Sequence, residues 1–305
     1  MKHITIYSIL LILISILFMP GCENQPTEAE DYDPEPIVQA FLFNGEPVEE
    51  VFVERIAPLF EYYDPKDHGI TGAVVRIFEV NGNDTLYFVD DPDYPGRYTP
   101  APGDSLVPVG MMLYRIEVTT PAPHNEFIYA ETRVPGDIEA HGPVQIFMIN
   151  DDFSFTQVND GDTLNRNMPN LNWIWSDVDS VGGFQGMLIN LEPRDSLIPL
   201  DPDWDPNDPD QEIEDEDRGR FGYDIYRKDQ RSVRLYWIAF EWVGWHRVEL
   251  LAISQSYYDY IFSMFRVQQG VIERADTNIN GGLGIFGAVS RHSLKIYMEK
   301  VEPIE

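Results

Sequence analysis

The residues that could do chemistry in this chain are few, and their spacing narrows what they could do. Ser105, in Gly103-Asp104-Ser105-Leu106, is the best-placed hydroxyl. A serine nucleophile needs a base to take its proton. The late Asp-x-x-His that serves such a serine is missing, because none of the histidines (His3, His68, His124, His141, His246, His292) has an aspartate three residues before it. No His-Glu-x-x-His occurs, and the one cysteine, Cys22, excludes a thiolate zinc site. The glycines at 281, 282, 284 and 287 lack the Lys-Ser/Thr of a phosphate loop and are read as turns and close backbone approaches. Paired carboxylates of glycosidase type depend on geometry that a sequence does not show. The expectation is a protein that is not an enzyme, with a surface hydrolase as the remote alternative.

Two clusters suit binding better than catalysis. Asp201, Asp203, Asp205, Asp208 and Asp210 alternate with prolines and Asn207, the kind of hard-oxygen set that gathers around calcium. Pro206 stands where an EF-hand loop has glycine, so an extended acidic insertion or a recognition loop are the competing readings. Calcium is the one cofactor the pattern allows. Trp237, Trp242 and Trp245 fall in one stretch with Tyr236 and Phe240. Core packing and cover of a sheet face by the 257–265 helix is their favoured use, and a candidate aromatic contact surface for a peptide, a glycan or a transporter is the competing one.

The elements that must carry these residues are mostly strands. Residues 1–21 (MKHITIYSILLILISILFMPG) have a short basic start and an apolar run, the order of a secretory signal peptide, and residues 22–35 form an acidic flexible tether. The chain holds 52 acidic and 21 basic residues, a net charge of −31, which repels phosphates and excludes nucleic acid as a partner. Short alternating runs predict strands at 37–43, 51–57, 72–80, 85–89, 96–99, 113–119 and 127–134, with Asn81-Gly82 as a hairpin turn. They imply an immunoglobulin-like sandwich over residues 36–135. A second sandwich, fibronectin-like around Trp173 and Trp175, is expected over 136–302, with strands at 184–191, 221–227, 233–242, 246–254 and 290–298. It carries the acidic insertion at 199–218 and one amphipathic helix at 255–268, opened by Ser254 and closed by Gly270. The expected class is mainly β, two consecutive sandwiches with one inserted helix.

Several segments resemble known proteins. Cys22 directly after the leader resembles the lipobox of bacterial lipoproteins, although Met19-Pro20-Gly21 replaces the usual Leu-Ala-Gly. The resemblance implies a diacylglycerol on the Cys22 thiol and an outer-membrane location, with surface exposure favoured over the periplasmic face. Four blocks in order resemble a family of Bacteroidetes lipoproteins catalogued as domain of unknown function 4249. They are Gly72-Ala73-Val74 with Pro95-Gly96-Arg97-Tyr98, then Tyr129-Ala130-Glu131-Thr132, the helix around Tyr257-Tyr258, and Asn278-Ile279-Asn280-Gly281-Gly282-Leu283-Gly284. Genes of that family commonly lie beside TonB-dependent transporters. The resemblance therefore implies an accessory or ligand-capturing partner of such a transporter, its ligand unknown. A calcium-stabilised structural or adhesive surface protein is the alternative.

Overall fold

The computed structural model describes residues 34–57, 64, 66–201, 204, 221–272 and 274–301. The protein is mainly β with one helix. Seven strands come first: β1 (Pro36–Phe43), β2 (Val51–Arg55), β3 (Val74–Glu79), β4 (Thr85–Asp90), β5 (Arg97–Pro100), β6 (Leu113–Thr119) and β7 (Phe127–Arg133). Then follow β8 (Gln145–Ile149), β9 (Phe155–Val158), β10 (Thr163–Leu164), β11 (Leu171–Ile174), β12 (Gly183–Asn190), β13 (Phe221–Arg227) and β14 (Ser232–Leu235). The chain closes with β15 (Gly244–Ile253), α1 (Gln255–Gln268) and β16 (Leu283–Met298).

These strands make one large sheet and one small one. The large sheet runs β13-β12-β15-β16-β1-β2-β5-β4-β3-β6-β7, with β10 added on β16; the small one runs β14-β11-β8-β9. Two apolar clusters lie inside. The first joins β1–β7 with Ile279, Phe286 and Ala288, and the second gathers residues between Ile138 and Met298. One sheet therefore passes through both, and β16 is the strand that carries it across. Its even-numbered side chains face inward. Phe286 and Ala288 enter the first core, and Leu294, Ile296 and Met298 enter the second. Between them Ser290 is buried, and its hydroxyl accepts from the Ile138 amide at 3.2 Å and the Asn44 side chain at 3.4 Å.

The first core closes on itself through the segment before β16. Tyr129 of β7 exchanges backbone hydrogen bonds with Asn280, at 3.1 and 2.8 Å. The Asn278 amide donates to Glu131 O and Phe286 O while its oxygen accepts from the Phe286 amide. A side chain thus does the work of a ladder, and the exposed edge that β7 would present is partly covered. Gly281 permits this approach to β7, since a Cβ there would lie 2.8 Å from Phe127 O, and Gly284 is required for the pairing of β16 with β1. Its φ is +103°, and a Cβ there would lie 2.1 Å from Val38 O. Elsewhere in this core the Tyr98 hydroxyl, fully buried, donates to Ile70 O and accepts from the Ala73 amide, which fixes the entry to β3.

Helix α1 starts where Ser254 caps it, accepting from the Tyr257 amide. The same hydroxyl accepts from the Ala288 amide, so the cap also ties the helix to β16. Tyr257, Tyr258 and Ile261 pack on Leu251, Ile253 and Val289, the face of the sheet opposite the two cores.

Three expectations change here. The strand expected at 233–242 ends at Leu235, because the chain turns through a short 3-10 segment at Trp237–Ala239. The last strand begins at Leu283 and not at 290, since the glycines are built into it. Strands β8, β9 and β10 carry too little alternation to have been expected.

The β8–β9 hairpin holds one strained residue. Phe153 has φ +63° and is 83% exposed, where a glycine usually completes such a turn. The backbone around it is held by Asn150 donating to Ser154 Oγ and Thr156 Oγ1. Phe153→Gly relieves the left-handed conformation at the cost of extra chain entropy, a net gain of roughly 0.5–1 kcal/mol. The expected result is a melting temperature about 1–3 °C higher; a lower one contradicts the strain.

Candidate functional site

Trp237, Trp242 and Trp245 do not form one surface. Trp237 is 8% and Trp242 7% exposed, and only Trp245, at 41%, reaches solvent. The reason is the break after Leu235. Trp237 turns inward, donates from its ring nitrogen to Met168 O and packs on Phe240, while Ile238 and Tyr236 point out. Trp242 pairs by a single bridge with Pro199. Trp237 and Trp242 thus serve in packing, and of the candidate contact surface one tryptophan reaches solvent.

Trp245 opens onto a cleft of about 410 Å³ with Asp160, Gly161, Leu191, Glu192 and Lys295. Its ring meets Tyr297 edge-on at 5.4 Å. The cleft is built by backbone capture of acids. Glu192 Oε1 accepts from the Trp245 amide at 2.9 Å, and Asp160 Oδ1 from the Lys295 amide at 2.7 Å. Gly244, with φ +112°, allows this, because a Cβ there would lie 2.4 Å from the Glu192 side chain. An indole, two carboxylates and an ammonium around one opening suit a polar ligand with an apolar face, as a sugar ring has.

Next to the cleft is a buried imidazole. His246 is 3% exposed; its Nδ1–H donates to Gly244 O at 3.0 Å and its Nε2 accepts from the Asn190 side-chain Nδ2 at 3.2 Å. Both bonds fit the neutral ring. Burial lowers its pKa, outweighing the opposing pull of the Gly244 carbonyl and Glu192.

Of the acidic cluster, Asp201 is exposed and its carbonyl accepts from the Trp204 amide. Asp203, Asp205, Asp208 and Asp210 lie outside the described residues, as do Cys22 and the leader. Lys300 donates to Trp204 O at 2.9 Å and sits over its ring. Ser105 stands exposed after Gly103, whose φ is +90°. Sequence reasoning missed Asp160, Glu192, Lys295 and Tyr297 as neighbours of Trp245. They come from β16 and two loops, and only the fold joins them to Trp245 of β15.

A family model described as Domain of unknown function (DUF4249) matches residues 23–295. No curated protein matches. Among solved structures, the crystal structure of the chicken CNTN1 FN1-FN3 domains is similar at 13% identity, over 88% of this chain and 67% of that one, with a TM-score of 0.24.

Two outcomes follow for stability. Trp242→Ala leaves a cavity and costs about 3–5 kcal/mol, whereas Trp245→Ala costs under about 1 kcal/mol, as denaturant titration will measure. His246 has a folded pKa below that of the unfolded chain, so the unfolded state takes the proton first. Its share of the stability is complete above about pH 6.5 and is lost as the pH falls below that. His246→Gln narrows the difference in melting temperature between pH 7.5 and pH 5.5; an unchanged difference removes His246 as the cause.

Proposed function

The chain belongs to the DUF4249 family, and from that membership together with its leader we propose a non-enzymatic protein held at the outer membrane by lipid on Cys22. It acts beside a TonB-dependent transporter as an accessory or ligand-capturing partner. The observation that carries this reading is the apolar run ending in Gly21-Cys22, followed by acidic residues up to β1 at Pro36. A lipid and a tether of this kind keep the folded part near a pore and raise its effective concentration there. The two cores are read as immunoglobulin- or fibronectin-like modules that share β16. The cleft at Trp245 supports capture of a glycan, because it offers an aromatic face beside carboxylates and an ammonium. Surface exposure is the favoured orientation.

Metabolic labelling with an alkyne fatty acid tests the anchor. The full chain incorporates the label and fractionates with the outer membrane, and Cys22→Ala does neither. Pull-down from detergent-solubilised membranes tests the partnership, and the expected result is a TonB-dependent transporter recovered with the tagged protein. An unlabelled thiol, or a purified complex that never contains a transporter, contradicts the reading.

A further inference from the structure

We propose that the outer face of β1 carries a second ligand site, separate from the Trp245 cleft, for a linear apolar molecule ending in a cation. Val38, Ala40 and Leu42 of β1 point into the first core, so Gln39, Phe41 and Phe43 face the other way. Two cavities lie along them and share Gln39 and Phe41. One, of about 390 Å³, sits between the sheet and the C-terminal half of α1, with Met187, Ile261, Met264 and Phe265 in its walls. The other, of about 330 Å³, continues toward Phe52 and is rimmed by Glu46, Glu49, Glu50 and Arg291. Each is of the size that holds small ligands.

The two ends differ in character, and that difference sets the ligand. Under α1 apolar side chains and tyrosines dominate the lining beside Gln39, Gln185 and Gln268, and of these glutamines Gln185 is buried. Gln185 is 5% exposed and accepts from the Tyr257 hydroxyl at 3.4 Å, while its amide nitrogen has no protein partner among the described residues. The Gln185 side chain lines this cavity, and a ligand oxygen or an ordered water there would satisfy its nitrogen. At the other end Arg291 is already engaged. It pairs with Glu46 at 2.6 Å and lies over the Phe43 ring at 5.3 Å. Glu49 and Glu50 are exposed and make no ion pair among the described residues. The rim therefore keeps an excess of negative charge, complementary to an ammonium or guanidinium. Burial of an alkyl or aryl chain beneath α1 supplies the affinity, and the rim selects the sign of the charge.

Calorimetry on the full chain in nanodiscs, with empty nanodiscs as blank, tests the site. The probes are n-hexylammonium, n-octylammonium, the matching alkanoates and the tripeptide Leu-Phe-Lys. The expected result is binding of the ammonium ions, octyl about 15-fold tighter than hexyl because each methylene adds about fourfold, with the alkanoates much weaker. Met264→Trp fills the apolar end and lowers affinity more than tenfold. Glu49→Gln with Glu50→Gln, on the surface and safe for folding, weakens the ammonium about two- to fivefold and reduces its advantage over the alkanoate. Binding of the tripeptide as well assigns a basic peptide as the source of the cation, and binding of the alkylammonium alone assigns an amine. Equal binding of both signs of charge, affinity untouched by Met264→Trp in a folded protein, or no binding at 10 mM probe (roughly the weakest affinity range of interest) overturns the proposal.

Discussion

The inward face of β16 is divided between two apolar cores, and that division constrains the rest of the molecule. A strand alternates its side chains, so one face of β16 can be buried on both sides of Ser290 only if the sheet continues through both cores without a change of register. Parallel pairing with β1 from Ile37 to Phe43 and antiparallel pairing with β15 from Gly244 to Ile253 fix that register from both edges. Glycine at 284 is the local condition, because the backbone of β1 occupies the place where a side chain would begin.

The shared strand also decides where binding surfaces can lie. Its inward face is filled, so ligands are left with its outer face and its ends. Helix α1 covers part of that outer face at Val289, and the apolar trough beside β1 is what the helix leaves open. At the C-terminal end of β16, Lys295 and Tyr297 meet Trp245 of β15 and the acids held by backbone amides. Both candidate sites therefore combine side chains of regular strands with loop carboxylates, Asp160 and Glu192 at one and Glu46, Glu49 and Glu50 at the other.

The sequence was most legible where one period dominates. The seven strands of the first core and the helix at 255–268 stand where alternation and the Ser254 cap put them, because half-buried strands and amphipathic helices carry their burial in their spacing. The glycine block was legible as close backbone approach, but its partner, Val38, lies far away in sequence. Tyr129, Thr132, Ser256, Asn278 and Asn280 were visible only as separate blocks of a resemblance. In the structure they meet, Thr132 Oγ1 lying 3.2 Å from Ser256 Oγ and Asn280 pairing with Tyr129. Core packing was legible for Trp237 and Trp242, but the strand was extended past Leu235, where a 3-10 turn resets which side faces inward. The Trp245 cleft was out of reach, since nothing in the spacing of residues 160, 192, 245 and 297 says that they converge.

Unfolding of a Gly284→Val variant tests the shared strand most directly. All six tryptophans lie at positions 173, 175, 204, 237, 242 and 245, outside the first core, and Trp173, Trp175 and Trp237 belong to the second, so their emission follows the second core and its surroundings. Gly284 sits against β1, at the first-core end of β16. Coupling through β16 predicts that the substitution lowers the tryptophan-detected midpoint and that this transition coincides with the loss of far-ultraviolet circular dichroism. A tryptophan transition that keeps its wild-type midpoint, while the circular dichroism separates into two steps, would show that the two cores unfold independently.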